Sequence, residues 1–154
     1  MSNSRKRRGF SLIELLIVIA IILIIVTVAL PKLNNATRYA HETAAIKAIQ
    51  TIHTMQVQFN SQYGRYATTL TELGPPASGA ANASAADLID SSLAGGEKSG
   101  YKFTMAGNQG GYAISAVPVA YGNTGSRTFY SDQSMAIREN DGPEPATASS
   151  KEMK

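Results

Sequence analysis

The sequence predicts an α+β chain in which one long N-terminal helix packs on a small antiparallel sheet of about four strands. Three observations support this fold. An apolar stretch covers residues 10–30, an amphipathic stretch without glycine or proline covers residues 39–63, and short alternating segments separated by turns cover residues 101–138. The 154 residues suffice for one domain. Cysteine is absent, which excludes disulfides and thiolate chemistry.

The apolar stretch has the length of a membrane span. Its 21 residues contain one charge, on Glu14, and as a helix they would cover roughly 30 Å, the thickness of a bilayer core. Apolar residues occur all around this helix, so it belongs in lipid or in a buried bundle. A basic cluster precedes it, which the positive-inside rule keeps in the cytoplasm: Arg5, Lys6, Arg7 and Arg8.

That basic cluster also accounts for the charge of the chain. The formal net charge of +3 becomes −1 once these four residues are set aside. A nucleic-acid-binding face needs Lys and Arg spread over the folded body, so no nucleic-acid partner is expected.

A signal peptide, a core helix and a plain membrane anchor each fit the apolar stretch less well. A secretory signal peptide usually has a shorter apolar region of about 7–15 residues, and residues 27–29 followed by Pro31 make a poor cleavage site. A buried core helix would need more surrounding protein than this chain has. A plain membrane anchor has no need for Glu14, because a carboxylate inside an apolar span costs roughly 2.5–3.5 kcal/mol. We therefore expect Glu14 to pair with a cation, such as the free amine created by cutting before Phe10.

The residues around this position resemble a known junction. The segment Arg7-Arg8-Gly9-Phe10-Ser11-Leu12-Ile13-Glu14, with the apolar run and Pro31, resembles the class III leader of type IV pilins and type II secretion pseudopilins. The resemblance covers about residues 5–40. It implies that a prepilin peptidase cuts between Gly9 and Phe10, removes residues 1–9 as a leader, and methylates the new amine of Phe10. It also implies that Phe10 and Glu14 act in subunit assembly and that Pro31 distorts the helix.

The resemblance implies a structural, non-enzymatic role. The chain would be a single-pass subunit of the inner membrane before assembly. The pilus or secretion machinery would then build it into a homo-oligomeric helical filament, which serves adhesion, motility or surface attachment outside the cell. Two alternatives stay open: a pseudopilin of a type II secretion system, and a minor pilin that binds DNA or another ligand. No cofactor is expected.

The amphipathic stretch predicts the half of the helix that packs on a globular head. Apolar residues recur at steps of three and four, and Gly64 provides a stop: Ala45, Ile49, Ile52, Met55, Phe59 and Tyr63 form the stripe. His41 and His53 lie twelve positions apart with no third metal ligand in view, so both are predicted to be solvated.

The remaining segments predict the rest of the head. Leu70 and Leu73 would dock a short segment, residues 74–86 form a loop, and residues 87–93 form a brief helix. The predicted strands cover residues 101–105, 112–117, 127–131 and 135–138, with a hairpin loop over residues 107–111. The domains are therefore a leader at 1–9, a membrane or filament-core half-helix at 10–38, a head at 39–140 and a loose polar tail at 141–154.

Other candidate sites are weak. Asn35 and Asn82 each begin a glycosylation sequon, which is a short and common pattern. Major pseudopilins often carry calcium near the C-terminus, and four acidic residues are candidate ligands without a recognisable loop spacing: Asp132, Glu139, Asp141 and Glu144. No metal site is expected, and no nucleotide-binding loop or nucleophile elbow is present.

Overall fold

The structure is a computed structural model that describes residues 9–108 and 110–153. Its contacts divide the chain into two compact units, Met1–Ala36 and Thr37–Lys154. The helix α1 spans Leu12–Tyr63 and runs through both units without a break at position 31. Two short helices follow in the described part of the second unit, α2 at Leu70–Leu73 and α3 at Ser91–Ala94.

An antiparallel sheet completes the second unit, with six strands among the described residues. Each strand pairs with the next one in sequence, so the sheet is a simple meander. The strands are β1 (Glu97–Lys98), β2 (Tyr101–Asn108), β3 (Gly111–Pro118), β4 (Arg127–Asp132), β5 (Ile137–Asp141) and β6 (Lys151–Glu152).

The predicted fold class is confirmed: a long N-terminal helix packs on a small antiparallel sheet in the type IV pilin-like layout. The four predicted strands correspond to β2–β5, and the two additional strands have only two residues each. The β2–β3 hairpin is tighter than predicted, because pairing extends to Asn108 and Gly111. The helix predicted over residues 87–93 is shorter and lies at α3.

The core lies between the second part of α1 and one face of the sheet. The apolar stripe predicted for α1 faces this core, with Ile49, Ile52 and Phe59 fully buried. On β2 and β3, alternate residues point to the same side and are buried, as a half-buried strand requires: Tyr101, Phe103, Tyr112, Ile114 and Ala116. The helix ends after Tyr63, where Gly64 adopts a left-handed backbone with φ of 71°. Leu70 and Leu73 dock as predicted.

The segment predicted as a loose tail is instead packed on the sheet. Residues 151 and 152 form β6 against β5, and the backbone amide of Met153 donates to the carbonyl of Ile137 at 2.9 Å. Ala146 is buried, and the Thr128 hydroxyl donates to the carbonyl of Glu144 at 2.7 Å. Its mostly polar composition gave no sign of this packing, which uses backbone groups, the small side chain of Ala146 and the partly buried side chain of Met153.

Candidate processing and assembly site

The predicted cleavage junction lies just outside the start of α1. Gly9 and Phe10 precede the helix, which begins at Leu12, and neither belongs to a regular element. Both are exposed, Phe10 by 83%, and a Cβ built on Gly9 would meet nothing within 4 Å. A protease must draw the backbone of its substrate into its active site, so an exposed junction before a helix is a suitable target.

Glu14 makes a contact that we did not predict from the sequence. It lies in the first turn of α1, and its Oε2 accepts a hydrogen bond from the backbone amide of Ser11 at 3.1 Å. Ser11 is the residue before the helix, and its carbonyl accepts the first helical bond, from Leu15. This is the glutamate half of a capping box, whose Ser-x-x-Glu spacing was visible in the sequence. Glu14 therefore caps its own helix in the isolated subunit.

The first part of α1 has an apolar surface that none of the described residues covers. The large apolar side chains from Phe10 to Leu33 range from 40% to 83% exposed. The most apolar 18-residue window of α1 has a mean hydropathy of 3.3, and none of it is buried. By length and composition this helix could cross a membrane. Exposed apolar surfaces of this size are typical of sites that contact a membrane or another protein.

The structure says less about the roles of the remaining predicted site residues. Position 31, where the sequence has proline, lies inside the continuous helix α1. The basic cluster, Arg5, Lys6, Arg7 and Arg8, lies outside the described residues. The structure therefore brings Ser11 and Glu14 together and leaves the roles of Phe10 and Pro31 as predictions.

A second polar site joins α1 to the sheet in the head. The Glu42 carboxylate is fully buried and accepts hydrogen bonds from the backbone and hydroxyl of Ser126, at 2.8 and 2.9 Å. It also accepts from Nε and Nη2 of Arg127, at 3.0 and 2.8 Å. The other arm of Arg127 donates to Glu139 at 2.7 Å. This cluster ties α1 to both β4 and β5.

The electrostatics of Glu42 follow from these contacts. Burial of the Glu42 carboxyl acts to raise its pKa, but the hydrogen bonds from Ser126 and Arg127 outweigh burial and hold the pKa below its ordinary value of 4.5. The burial of Glu42 could have been predicted from its position in the sequence. Glu42 lies three residues before Ala45 and seven before Ile49, so it continues the apolar stripe of α1.

The prediction that His53 is solvated is wrong. His53 is only 5% exposed, and both ring nitrogens have partners: Nδ1 lies 2.8 Å from Tyr112 Oη and Nε2 lies 2.7 Å from Ser131 Oγ. Burial lowers the pKa of His53 below 6.5, and the nearby Asp132 carboxylate partly opposes this shift. His41 is half-buried.

The candidate calcium ligands do not converge. Within the part of the chain that the structure describes, no three His, Asp or Glu side chains form a group that could hold a metal ion. Glu139 pairs with Arg127 at 2.7 Å and Lys151 at 3.7 Å. Asp132 accepts from the backbone amide of Ser134 at 2.9 Å.

The two predicted sequons differ in their surroundings. Asn35 lies within α1. Asn82 lies in an exposed turn, where its side chain accepts from the amide of Ser84 at 2.8 Å.

Comparison with known proteins finds a family motif at the N-terminus. The model of the prokaryotic N-terminal methylation motif matches residues 4–30. The type IV major pilin protein PilA of Myxococcus xanthus (strain DK1622) is 35% identical over 69 residues, which are 45% of this chain and 31% of that relative. The chain thus spans less than a third of the length of the curated relative that it matches. No solved structure matches it significantly.

These findings confirm the predicted resemblance to the type IV pilin family. The motif match includes Gly9, Phe10 and Glu14, and it extends over most of the apolar part of α1. The fold of the head, with one long helix on an antiparallel sheet, agrees with that family.

Proposed function

We propose that this chain is a structural pilin subunit that polymerises into a type IV pilus through the N-terminal part of α1. One observation carries the proposal: the exposed apolar part of α1, up to Leu33, holds a single carboxylate, Glu14, four residues after the predicted new N-terminus at Phe10. The similarity to a protein named as a type IV major pilin favours the pilus over the secretion pseudopilus. In this role the chain has no catalytic function of its own.

Processing comes first in this proposal. A prepilin peptidase cuts the exposed bond between Gly9 and Phe10 and methylates the amine of Phe10. Glycine offers no side chain that would obstruct the cut. Until then the basic cluster at residues 5–8 holds the leader in the cytoplasm while α1 spans the inner membrane.

Assembly then replaces lipid around α1 with other copies of α1. The exchange from lipid to protein has little hydrophobic driving force, because lipid tails are as apolar as leucine. A charge pair can therefore decide the register of packing. We propose that Glu14 leaves the Ser11 amide and pairs with the Phe10 amine of a neighbouring subunit. A distortion of α1 at Pro31 would let the packed helices adjust, since proline removes one helical hydrogen bond.

The substitution Glu14→Gln tests the role of the charge. Glutamine keeps an acceptor for the Ser11 amide but cannot form a charge pair. Because losing one member of a buried charge pair costs about 2–5 kcal/mol, we expect the yield of sheared surface filaments to fall about tenfold or more. Mass spectrometry should still show loss of residues 1–9 and one added methyl group.

The exposed head residue Glu97 provides the matched control. Glu97→Gln removes the same charge from β1 and should leave both processing and filament yield unchanged. Normal filament yield from Glu14→Gln would contradict the assembly role. An unprocessed wild-type chain would contradict the whole proposal.

Deletion of the chain separates the pilus from its alternatives. A pilus subunit predicts loss of surface filaments with normal secretion of exoproteins, whereas a pseudopilin predicts the reverse. If filaments persist and only uptake or binding of a ligand is lost, the chain is a minor pilin that acts as a binding module.

A further inference from the structure

A chain of four hydrogen-bonding groups connects α1 to the turn between β4 and β5. Tyr112 Oη lies 2.8 Å from His53 Nδ1, His53 Nε2 lies 2.7 Å from Ser131 Oγ, and Ser131 Oγ lies 2.9 Å from the carbonyl oxygen of Ala136. Tyr112 is on β3 and Ser131 is on β4, so the chain crosses the core of the head. His53, Tyr112 and Ser131 are all buried.

The carbonyl of Ala136, the last of the four groups, fixes which atom donates in each of the three hydrogen bonds. A carbonyl can only accept, so Ser131 donates its hydroxyl hydrogen to Ala136. Ser131 must then accept from His53, which places the imidazole proton on Nε2. The bare Nδ1 accepts from the hydroxyl of Tyr112. With neutral His53, all three hydrogen bonds that link the four groups can form.

Protonated His53 cannot satisfy the same chain. A proton on Nδ1 would face the Tyr112 hydroxyl, which would have to turn its own hydrogen away from its partner. The added charge would also be buried, which is costly without a partner. Among the neighbouring groups, the Asp132 carboxylate on β4 favours the charge, but Asp132 also interacts with Arg138 on β5. The Tyr112 hydroxyl is uncharged, because burial raises its pKa to about 12.

A groove gives the charged ring a route to water. His53 lines an opening of about 390 Å³ together with Val57, Met135 and Ile137. Met135 lies in the β4–β5 turn with a left-handed φ of 64°, a strained conformation for a residue other than glycine, and its side chain is 51% exposed. If the hydrogen bonds that link the turn to α1 through His53 are lost, Met135 can leave this strained conformation.

We propose that the chain from Tyr112 through His53 and Ser131 to Ala136 is an acid-sensitive latch. At neutral pH it holds the β4–β5 turn, residues 133–136, against α1. On acidification His53 takes up a proton and turns into the groove, which breaks its bonds to Tyr112 and Ser131 and frees the turn. This inference concerns the head alone and does not depend on the proposed filament.

Hydrogen–deuterium exchange on the full chain in detergent tests the latch. We expect the protection of amides 134–137, corrected for intrinsic exchange rates, to fall more than about tenfold between about pH 8 and about pH 5. Each pH unit below the pKa of a free histidine shifts a one-proton equilibrium about tenfold. The substitution His53→Gln keeps one donor and one acceptor and should abolish this loss of protection.

The second histidine of the sequence provides the matched control, since His41→Gln should respond to pH as the wild type does.

Nitrogen-15 spectra of the wild-type imidazole supply a test that requires no mutation. They should show His53 with a proton on Nε2 alone at about pH 8. Protection that is independent of pH in the wild type, an equal loss in His53→Gln, or a proton on Nδ1 would each overturn the proposal.

Discussion

At the scale of single residues, the head relies on buried polar side chains that are hydrogen-bonded to distant parts of the chain. Gln56 is fully buried, and its amide both donates to the carbonyl of Ala67 and accepts from the amide of Ala67, each at 2.9 Å. It thus pairs with that backbone as a strand would, and it fixes the segment after α1. Glu42 does the same for the start of β4. Such groups stabilise one arrangement of the head, because any other would leave them unpaired.

Substitution of Glu42 by glutamine should destabilise the head. We expect the free energy of unfolding at neutral pH to fall by about 2–3 kcal/mol. This is less than the ~3–5 kcal/mol for a fully buried pair, because Arg127 keeps Glu139 and is partly exposed. Urea unfolding of the full chain in detergent, followed by the fluorescence of its seven tyrosines, measures this difference.

The loss of stability caused by Glu42→Gln should depend on pH in one direction. The pKa of Glu42 is lower in the folded chain than its ordinary value of 4.5, so its contribution is present above about 4.5 and is lost as pH falls through the folded pKa. The difference between wild type and Glu42→Gln should therefore shrink on acidification. Glu97→Gln, on the exposed β1 strand, should change stability by less than about 0.5 kcal/mol. A gap between wild type and Glu42→Gln that stays constant or widens at low pH would contradict this account.

These polar residues mark the limit of what the sequence could predict. The apolar stripe of α1 was predicted because helical periodicity is a local signal. The partners of Glu42 and His53 are distant, with Ser126 84 positions from Glu42 and Ser131 78 positions from His53. No local pattern shows which strand a polar helix residue will face. The Glu14 cap was different, since its Ser11 partner is three residues away and could have been recognised.

At the scale of elements, α1 joins two surfaces of different character in one helix. Its first part presents apolar side chains on all sides, whereas its second part buries one stripe and exposes polar residues such as Lys47 and Gln50. Tertiary packing stabilises the second part. None of the described residues packs on the first part in this way, although helices in water gain most of their stability from packing.

The C-terminal segment should contribute measurably to the stability of the sheet. Removing residues 146–154 deletes β6, the buried Ala146 and the hydrogen bond from Arg138 Nη1 to the carbonyl of Ser150 at 3.1 Å. At about 1 kcal/mol for each lost hydrogen bond, we expect the free energy of unfolding to fall by about 2–4 kcal/mol. Urea unfolding of the shortened chain gives this value directly.

The control for this deletion lies within the same segment. Lys151 has a side chain that is 78% exposed, and it pairs with Glu139 at 3.7 Å. Lys151→Ala should change stability by less than about 1 kcal/mol, because exposed ion pairs contribute little. If the deletion costs no more than Lys151→Ala, the segment is not an integral part of the sheet.

The strands of the sheet were predictable to different degrees for a physical reason. In β2 and β3 an apolar residue alternates with a polar or small one, and glycine-rich turns bound them, so both were found with small errors at their ends. The short edge strands β1 and β6 carry no such pattern. They are held by backbone pairing with a neighbour, which depends on where the neighbour lies and not on their own side chains.

At the scale of the whole molecule, the two units differ in whether their apolar side chains are buried. Among the described residues, every buried member of the hydrophobic core cluster lies between Ala45 and Phe129, within the unit Thr37–Lys154. The described residues of the unit Met1–Ala36 contribute none of them and expose their apolar side chains. The chain thus has a head with its own core and an N-terminal segment whose apolar side chains are uncovered. In the proposed filament, this division would let the chain move from a membrane into a polymer without refolding of the head.

This division predicts how each part behaves alone. A shortened chain of residues 37–154 should be monomeric in buffer without detergent and should unfold in one cooperative transition, because it keeps the whole core. The processed chain of residues 10–154 should associate under the same conditions, since burying each large apolar side chain is worth about 1.5–3 kcal/mol in water. Analytical ultracentrifugation and thermal unfolding followed by tyrosine fluorescence measure both properties, with the processed chain in detergent as the control for folding. If the shortened chain aggregated or melted without cooperativity, the first part of α1 would be needed to fold the head, and the two units would not be independent.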